Sequence, residues 1–474
     1  MVAFDRAAVA WLASGAAATV ALVLLVAERG ASLATLAIFG LVVFIAIVAG
    51  FMYVPWVTVP LLIPLYAIVP TLKVFVHPAL GGLKDLVSVA AIAAAGLLVI
   101  QRRYDRKPIR LDNVALVLFG LIVSLYVTNI GGNLSGESGY GASWYQGVRL
   151  FCVPLSLLVV GMLLREPRRT FRAGAISVIA TTAVVALIGL AQQAIGVDAL
   201  LAAGYEYGEE VRQIGTRLRS FGTLSEPFAY TSFLLIGLSV LLMWARRGTV
   251  MYVVGTVLAL GVVVSYVRTA AVIAVALIGL ALARGGQKLL AATVLGVAVI
   301  AAVSVLVATS GRSTTRTVAV SPTTYLTLNG RTKLWQSQVG GSATDWVFGR
   351  GVGATGTAAA RAEQTLTGKK RLNSRSAAGV VDSGYLAVVA DIGVAGLILL
   401  VALFGLLLTR AAQRARQGDA LGWAAVGILT VTMLDGLSRE SFTGFPTAYV
   451  AMLLVGLALA RGSEAPVAES PRRA

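Results

Sequence analysis

Three side chains stand where their types and surroundings allow chemistry: Arg219 in RSFGTLSEP (219–227), Arg268 in VVVSYVRTAAVIAV (262–275) and Asp382 in VVDSGYLAVVADIGVAG (380–396). A guanidinium carries charge and a fork of donors that matches phosphate oxygens, and a carboxylate can take a proton from a hydroxyl. Arg268 sits inside an apolar run from Met251 to Ala283. A charge at the middle of a membrane segment costs about 3 kcal/mol or more and normally faces a cavity, a partner or a site. At about 1.5 Å per residue, a run of roughly 33 residues is too long for one crossing of a hydrocarbon core about 30 Å thick. Arg246 and Arg247 precede it and Arg284 and Lys288 follow it, which assigns both ends to the cytoplasm. The run is therefore expected to be a hairpin of two short helices. Its tip, Tyr266 to Thr269, would carry Arg268 to the extracytoplasmic lip.

Arg217 and Arg219 come just before a helix expected to begin near Pro227, with Ser225 as its cap and Pro227 in its first turn. A helix N-terminus beside arginines is suited to an anion. The competing expectation pairs Arg217 and Arg219 with Glu206, Glu209 and Glu210 in a surface loop. Asp382 is the strongest general-base candidate on the outer face, and it can equally serve as the cap of the helix that follows it. Asp391 lies about two turns further on. Asp435, Arg439 and Glu440 form a second outer cluster that reads as a structural salt-bridge set. His77 is the lone histidine, so His-based metal sites and Ser-His-Asp triads have little to work with. Cys152 lies among apolar residues and reads as a buried small hydrophobe. The chain has no GxxxxGK[ST] loop, which disfavours ATP-driven transport, and no metal motif, so neither a cofactor nor a metal is expected.

The elements that must position these residues are membrane helices. Of 474 residues, 58% are hydrophobic and 13% charged, a balance foreign to soluble globular proteins. We expect an all-α polytopic transmembrane bundle of about 12–14 helices, near 7–27, 31–49, 52–70, 84–100, 112–130, 148–164, 171–191, 228–244, 250–266, 270–284, 289–308, 384–409, 421–436 and 446–460. The first stretch lacks a small-residue cleavage site and reads as a span rather than a signal peptide. Pro55, Pro60 and Pro64 interrupt residues 31–70, where a kinked or re-entrant segment is an open alternative. The basic connectors 101–110, 165–172, 245–248, 284–288 and 410–417 fall on alternate loops, placing both termini and the 461–474 tail in the cytoplasm. The formal net charge of +18 follows largely from this topology, and no nucleic-acid partner is expected.

Residues 1–308 thus form transmembrane helices with outer loops 131–147 and 192–227. A long outer loop, 309–383, precedes the C-terminal helices of 384–460. That loop carries ten Lys or Arg, among them Arg331 and Arg350, against three acids. The excess points to an anionic partner such as a diphosphate or an acidic sugar, with lipid headgroups as the plainer alternative. Tyr140, Trp144, Tyr145, Tyr325, Trp335 and Trp346 can stack on sugar rings or form an interfacial belt.

Five segments occur in a telling order: RSFGTLSEP, SYVRTAAV (265–272), GRTKLWQSQV (330–339), VFGRGVGA (347–354) and VVDSGYLAVVADIGVAGLIL (380–399). Together, over about residues 110–460, they resemble the O-antigen ligase and polymerase family of bacterial membrane glycosyltransferases. The resemblance implies a fold like that of C-class glycosyltransferases. It implies a multi-pass enzyme of the cytoplasmic membrane, working at its outer face with other envelope-polysaccharide assembly proteins. Glycan would pass from a polyprenyl-diphosphate-linked oligosaccharide to an acceptor sugar, without metal and with inversion. By position, Arg219 and Arg268 would hold the leaving diphosphate and Asp382 would take the acceptor proton. Arg217, Arg331, Arg350, Trp335 and Tyr385 would contribute to binding diphosphate and glycan. Ligases of the family carry His where this chain has Asp382, which favours a polymerase over a ligase. A transporter or flippase of the same lipid-linked glycan is the rival from another class. Its cavity should be lined with charge from many helices, whereas here charges gather at loops and helix tips.

Overall fold

The computed structural model describes residues 33–106, 111–129, 140–207, 210–214, 217–244, 248–286, 343–354, 356–358 and 383–460. The expected helices near 7–27 and 289–308 lie outside the described residues, as do most of the long 309–383 loop and the 461–474 tail. In chain order the α-helices are α1 (Leu33–Tyr53), α2 (Pro55–Phe75), α3 (Leu83–Tyr104), α4 (Asn113–Thr128), α5 (Tyr140–Leu163), α6 (Pro167–Ile195), α7 (Val197–Ala202), α8 (Pro227–Trp244), α9 (Thr249–Val264), α10 (Arg268–Arg284), α11 (Ala343–Phe348), α12 (Gly384–Arg416), α13 (Ala420–Gly436) and α14 (Thr447–Leu459). Among the described residues six helices, α2, α3, α5, α6, α8 and α12, are long and apolar enough to cross a membrane. Many large apolar side chains point outward, including Ile45, Val263 and Ile398. An apolar outer surface of this kind suits lipid rather than water. The chain is a multi-pass helical membrane protein.

The two helices expected near 31–49 and 52–70 form, as Leu33–Tyr53 and Pro55–Phe75 with only Val54 between them, and α2 runs through Pro60, Pro64 and Pro70. Pro64 has no N–H to give the Pro60 carbonyl, and the Ser177 hydroxyl on α6 donates to that oxygen at 2.6 Å instead. The segment 131–147 is not all loop, because α5 begins at Tyr140 and carries Trp144 and Tyr145 on its first turns. The bundle is also not purely helical. Two short antiparallel strands, β1 (Arg212–Ile214) and β2 (Arg217–Arg219), form a hairpin between α7 and α8.

Side chains at the two ends of the bundle show which connectors cluster. At one end Arg102 donates to Leu163 O at 2.8 Å and Arg165 to Gln101 Oε1 at 2.7 Å. Arg410 pairs with Asp112 at 3.0 Å, Arg284 reaches Leu242 O at 3.2 Å, and Arg414 bonds Ala458 O and Ala460 O. The Asp112 carboxylate also caps α4, accepting from Val114 N at 3.1 Å. At the opposite end Thr71 and Phe75 meet Thr223 and Tyr205, Arg219 meets Ser265, and Thr357 meets Glu440. Helix α8 runs between the ends as the central post, with nearly all of its side chains buried. Its N-terminus therefore emerges in the middle of the end that carries Arg219 and Arg268.

Candidate functional site

The candidate site is built on the hairpin ahead of α8. Leu218 turns inward onto a satellite core of Leu200, Val211 and Phe221. Alternation along the strand then turns Arg217 and Arg219 to the other face. Across the ladder Arg212 lies opposite Arg219, a like-charge pairing that a sheet ordinarily avoids.

The chain after β2 is tied down by hydrogen bonds from α6. Gln192 accepts from Phe221 N at 3.0 Å and Gly222 N at 2.9 Å and donates to Gly222 O at 2.8 Å. Gln193 donates to Ser220 Oγ at 2.7 Å and Leu218 O at 3.0 Å. From α2, Thr71 donates to Thr223 O at 2.7 Å, while Thr223 donates to Ala67 O at 2.8 Å. Gly222 takes φ +60°, where a Cβ would come within 2.9 Å of the Tyr230 and Val185 side chains. Gly222→Ala is accordingly expected to cost on the order of 2–4 kcal/mol, from strain and overpacking together. Thermal unfolding of the purified protein in detergent measures it, and an unchanged Tm would show that the loop relaxes freely.

This anchored loop meets the helical hairpin of α9 and α10. Ser220 N donates to Val264 O at 3.1 Å, and Arg219 Nε donates to Ser265 O at 3.1 Å. The Arg219 guanidinium also lies over the Phe228 ring at 4.7 Å, and Arg217 lies 6.0 Å from the Tyr266 ring. The turn is tight. Ser265 Oγ accepts from Val267 N at 3.2 Å, and Tyr266 takes φ +54°, which is rare for a side chain of its size. Arg268 opens α10 as its first residue and is exposed, so the partial positive charge of that helix end adds to its own.

Arg212 pairs with Glu226 at 3.4 Å. Among the described residues no carboxylate pairs with Arg217, Arg219 or Arg268. Burial lowers the Arg219 pKa from its ordinary value, Arg212 and Arg268 lower it further, and Glu226 opposes them. The site is thus a surplus of guanidinium charge held in place by neutral groups, a geometry suited to a phosphate-bearing anion. Of the three glutamates expected to pair with Arg217 and Arg219, Glu209 lies outside the described residues, and Glu210 accepts from Glu206 N at 3.0 Å. The helix starts at Pro227, so Glu226 rather than Ser225 stands at its boundary.

A second focus surrounds the start of α12. Asp382 lies outside the described residues, as do Arg331 and Trp335. Ser383, not Asp382, is the cap residue of α12. Ser383 Oγ donates to Gly436 O at 3.2 Å and Gly384 N to Arg439 O at 2.8 Å, tying this start to the end of α13. Arg439 in turn pairs with buried Asp435 at 3.0 Å, and Asp435 accepts from Ser232 on α8 at 2.7 Å. Tyr385 donates to Met433 O at 3.0 Å and packs edge-on against Phe442. Its hydroxyl is thus tied to the end of α13 and its ring to Phe442.

The Gly-rich turn holding Arg350 turns its amides inward. Arg350 N donates to Ala390 O at 2.7 Å, Val352 N to Asn129 O at 3.1 Å and Gly353 N to Asp391 Oδ1 at 3.0 Å. Those amides are committed, so the turn is a wedge against α12 and not an anion cradle. It seats beside a break in α12 at Ile392 and Gly393.

No family model matches the chain, and no curated protein matches it. Sequence reading missed Gln192 and Gln193 altogether, since amides at a helix end carry no motif. It also missed the role of Asp391 in seating the 349–354 turn. The one available signal was a carboxylate in an otherwise apolar helix.

Proposed function

We propose that the protein is a membrane glycosyltransferase that moves glycan from a polyprenyl-diphosphate-linked donor to an acceptor sugar, and that it acts as a polysaccharide polymerase. The observation that carries this reading is the meeting of Arg219 and Arg268. They come from separate segments, reach one end of a membrane bundle, and among the described residues pair with no carboxylate. A diphosphate on a lipid anchor has the charge to fill that site, and its polyprenyl chain has the solvent it needs beside the helices. In this reading the end rich in Arg102, Arg165 and Arg410 faces the cytoplasm, as the positive-inside rule favours, and the site works at the outer face of the cytoplasmic membrane.

In this mechanism the acceptor hydroxyl oxygen attacks the anomeric carbon of the donor. The bond from that carbon to the diphosphate oxygen breaks, with inversion. The hydroxyl proton passes to Asp382, and the negative charge gathering on the diphosphate is met by the two guanidinium groups. This chemistry uses no metal. The preference for a polymerase over a ligase rests on Asp382 standing where the ligases of the resembled family carry His.

The test is a deletion strain complemented with wild type or Asp382→Ala, in which lipid-linked glycans and surface polysaccharide are extracted and sized. For the variant we expect single repeat units to accumulate on lipid while surface chains shrink to one unit or vanish. Full-length chains stranded on lipid would instead identify a ligase, and unchanged pools would overturn the transfer reading.

A further inference from the structure

The side chain of Gln193 stands between the two segments that carry Arg219 and Arg268. Its Nε2 donates to Ser220 Oγ at 2.7 Å and Leu218 O at 3.0 Å, on the residues either side of Arg219, and reaches Val264 O at 3.4 Å, at the entry to the turn ahead of Arg268. Leu218 O and Val264 O are carbonyls that only accept, so the amide must turn its NH2 toward them. The two segments also touch directly, through Ser220 N to Val264 O at 3.1 Å and Arg219 Nε to Ser265 O at 3.1 Å. Gln193 belongs to the last turn of α6, which packs against α2, α8 and α9. One side chain on a fixed helix thus holds both arginine-bearing segments.

Arg219 and Arg268 are like charges close enough for one to disfavour the charged form of the other, and without restraint they would move apart. A monophosphate can be met by one guanidinium. A diphosphate spans two phosphoryl groups and gains fully from two guanidiniums only when their separation is set beforehand. We propose that Gln193 is a positioning residue that fixes the spacing of Arg219 and Arg268 and thereby makes the site select a diphosphate over a monophosphate. The proposal rests on the reading of these arginines as a diphosphate site. Gln193 acts through them and needs no contact with substrate itself.

The test uses full-length protein in detergent, titrated calorimetrically with farnesyl diphosphate and farnesyl monophosphate, which share a short prenyl chain and differ by one phosphoryl group. Gln193→Met keeps the length of the side chain and removes the donor, while Ser220 Oγ keeps Gly189 O and Val264 O keeps Ser220 N. The fold is therefore retained, and thermal unfolding checks it. We expect the preference for diphosphate over monophosphate to shrink by about tenfold in this variant, the worth of one charge-assisted hydrogen bond. Gln193→Asn keeps the amide but draws it back by one carbon, and should lose preference in the same direction. Ser220→Ala is the control for stability alone. It removes the buried bond to Gly189 O but leaves Gln193 on Leu218 O and Val264 O, so its preference should match that of wild type. An unchanged preference in Gln193→Met, or an equal loss in Ser220→Ala, overturns the positioning role. The diphosphate reading is decided separately: it stands if Arg219→Ala and Arg268→Ala each weaken farnesyl diphosphate binding, and falls if either leaves that binding unchanged.

Discussion

Arg219→Ala is expected to lower glycan transfer by about 10²–10³-fold, the loss typical of removing one donor from a developing oxyanion. The more discriminating variant is Arg219→Lys, which keeps the charge and is still expected to be strongly impaired. The reason is local. Arg219 uses its Nε to hold Ser265 O at 3.1 Å and lays its plane 4.7 Å over Phe228, so that its remaining N–H groups point in a set direction. An ammonium on a flexible stem has neither the Nε anchor nor the plane. Arg268 is exposed and contributes charge at the start of α10 without such an anchor, so Arg268→Lys should retain most of the activity that Arg268→Ala loses. Initial rates with purified lipid-linked donor give both comparisons. Full activity in Arg219→Lys would mean that charge alone matters and that the fork geometry is incidental.

The second large effect concerns stability. Asp435→Ala is expected to destabilise the protein by about 3–5 kcal/mol, because it strands a buried guanidinium. Arg439 and Asp435 are 12% and 5% exposed and 3.0 Å apart, and among the described residues Asp435 is the carboxylate that pairs with Arg439. Asp435→Ala combined with Arg439→Met removes both partners and should recover much of the loss. Thermal unfolding in detergent of the single and double variants reads the difference, and equal losses would assign the effect to packing around Ser232 instead. Arg439 O also receives Gly384 N at 2.8 Å. The single variant should therefore loosen the chain next to Asp382 and reduce transfer along with Tm.

How far the site could be read in advance differs from residue to residue. Arg268 was legible because a charge in a long apolar run has to be explained, and the run's length and flanking arginines imposed a hairpin. The α9–α10 pair indeed turns at Ser265–Val267. Arg217 and Arg219 were legible as charges before a helix, but their company was not. The sequence lists nearby glutamates, whereas the fold sets Arg219 against Ser265, Phe228 and Arg212. Tyr385 shows the opposite case, a residue in a suggestive motif whose hydroxyl is committed to Met433 O.

By itself the sequence determined that the chain is a multi-pass helical membrane protein, and approximately where its helices start and stop. Those features depend on composition and spacing along the chain, because each helix satisfies its own backbone within the bilayer. Tertiary structure alone decided the rest. It made α8 the central post, let Ser177 compensate for Pro64, and built a strand pair that local propensity did not announce. It also brought Arg219 to the turn ahead of Arg268. Such meetings depend on side chains far apart in sequence finding one another, as Gln192 finds Gly222 and Thr71 finds Thr223. No spacing rule carries that information.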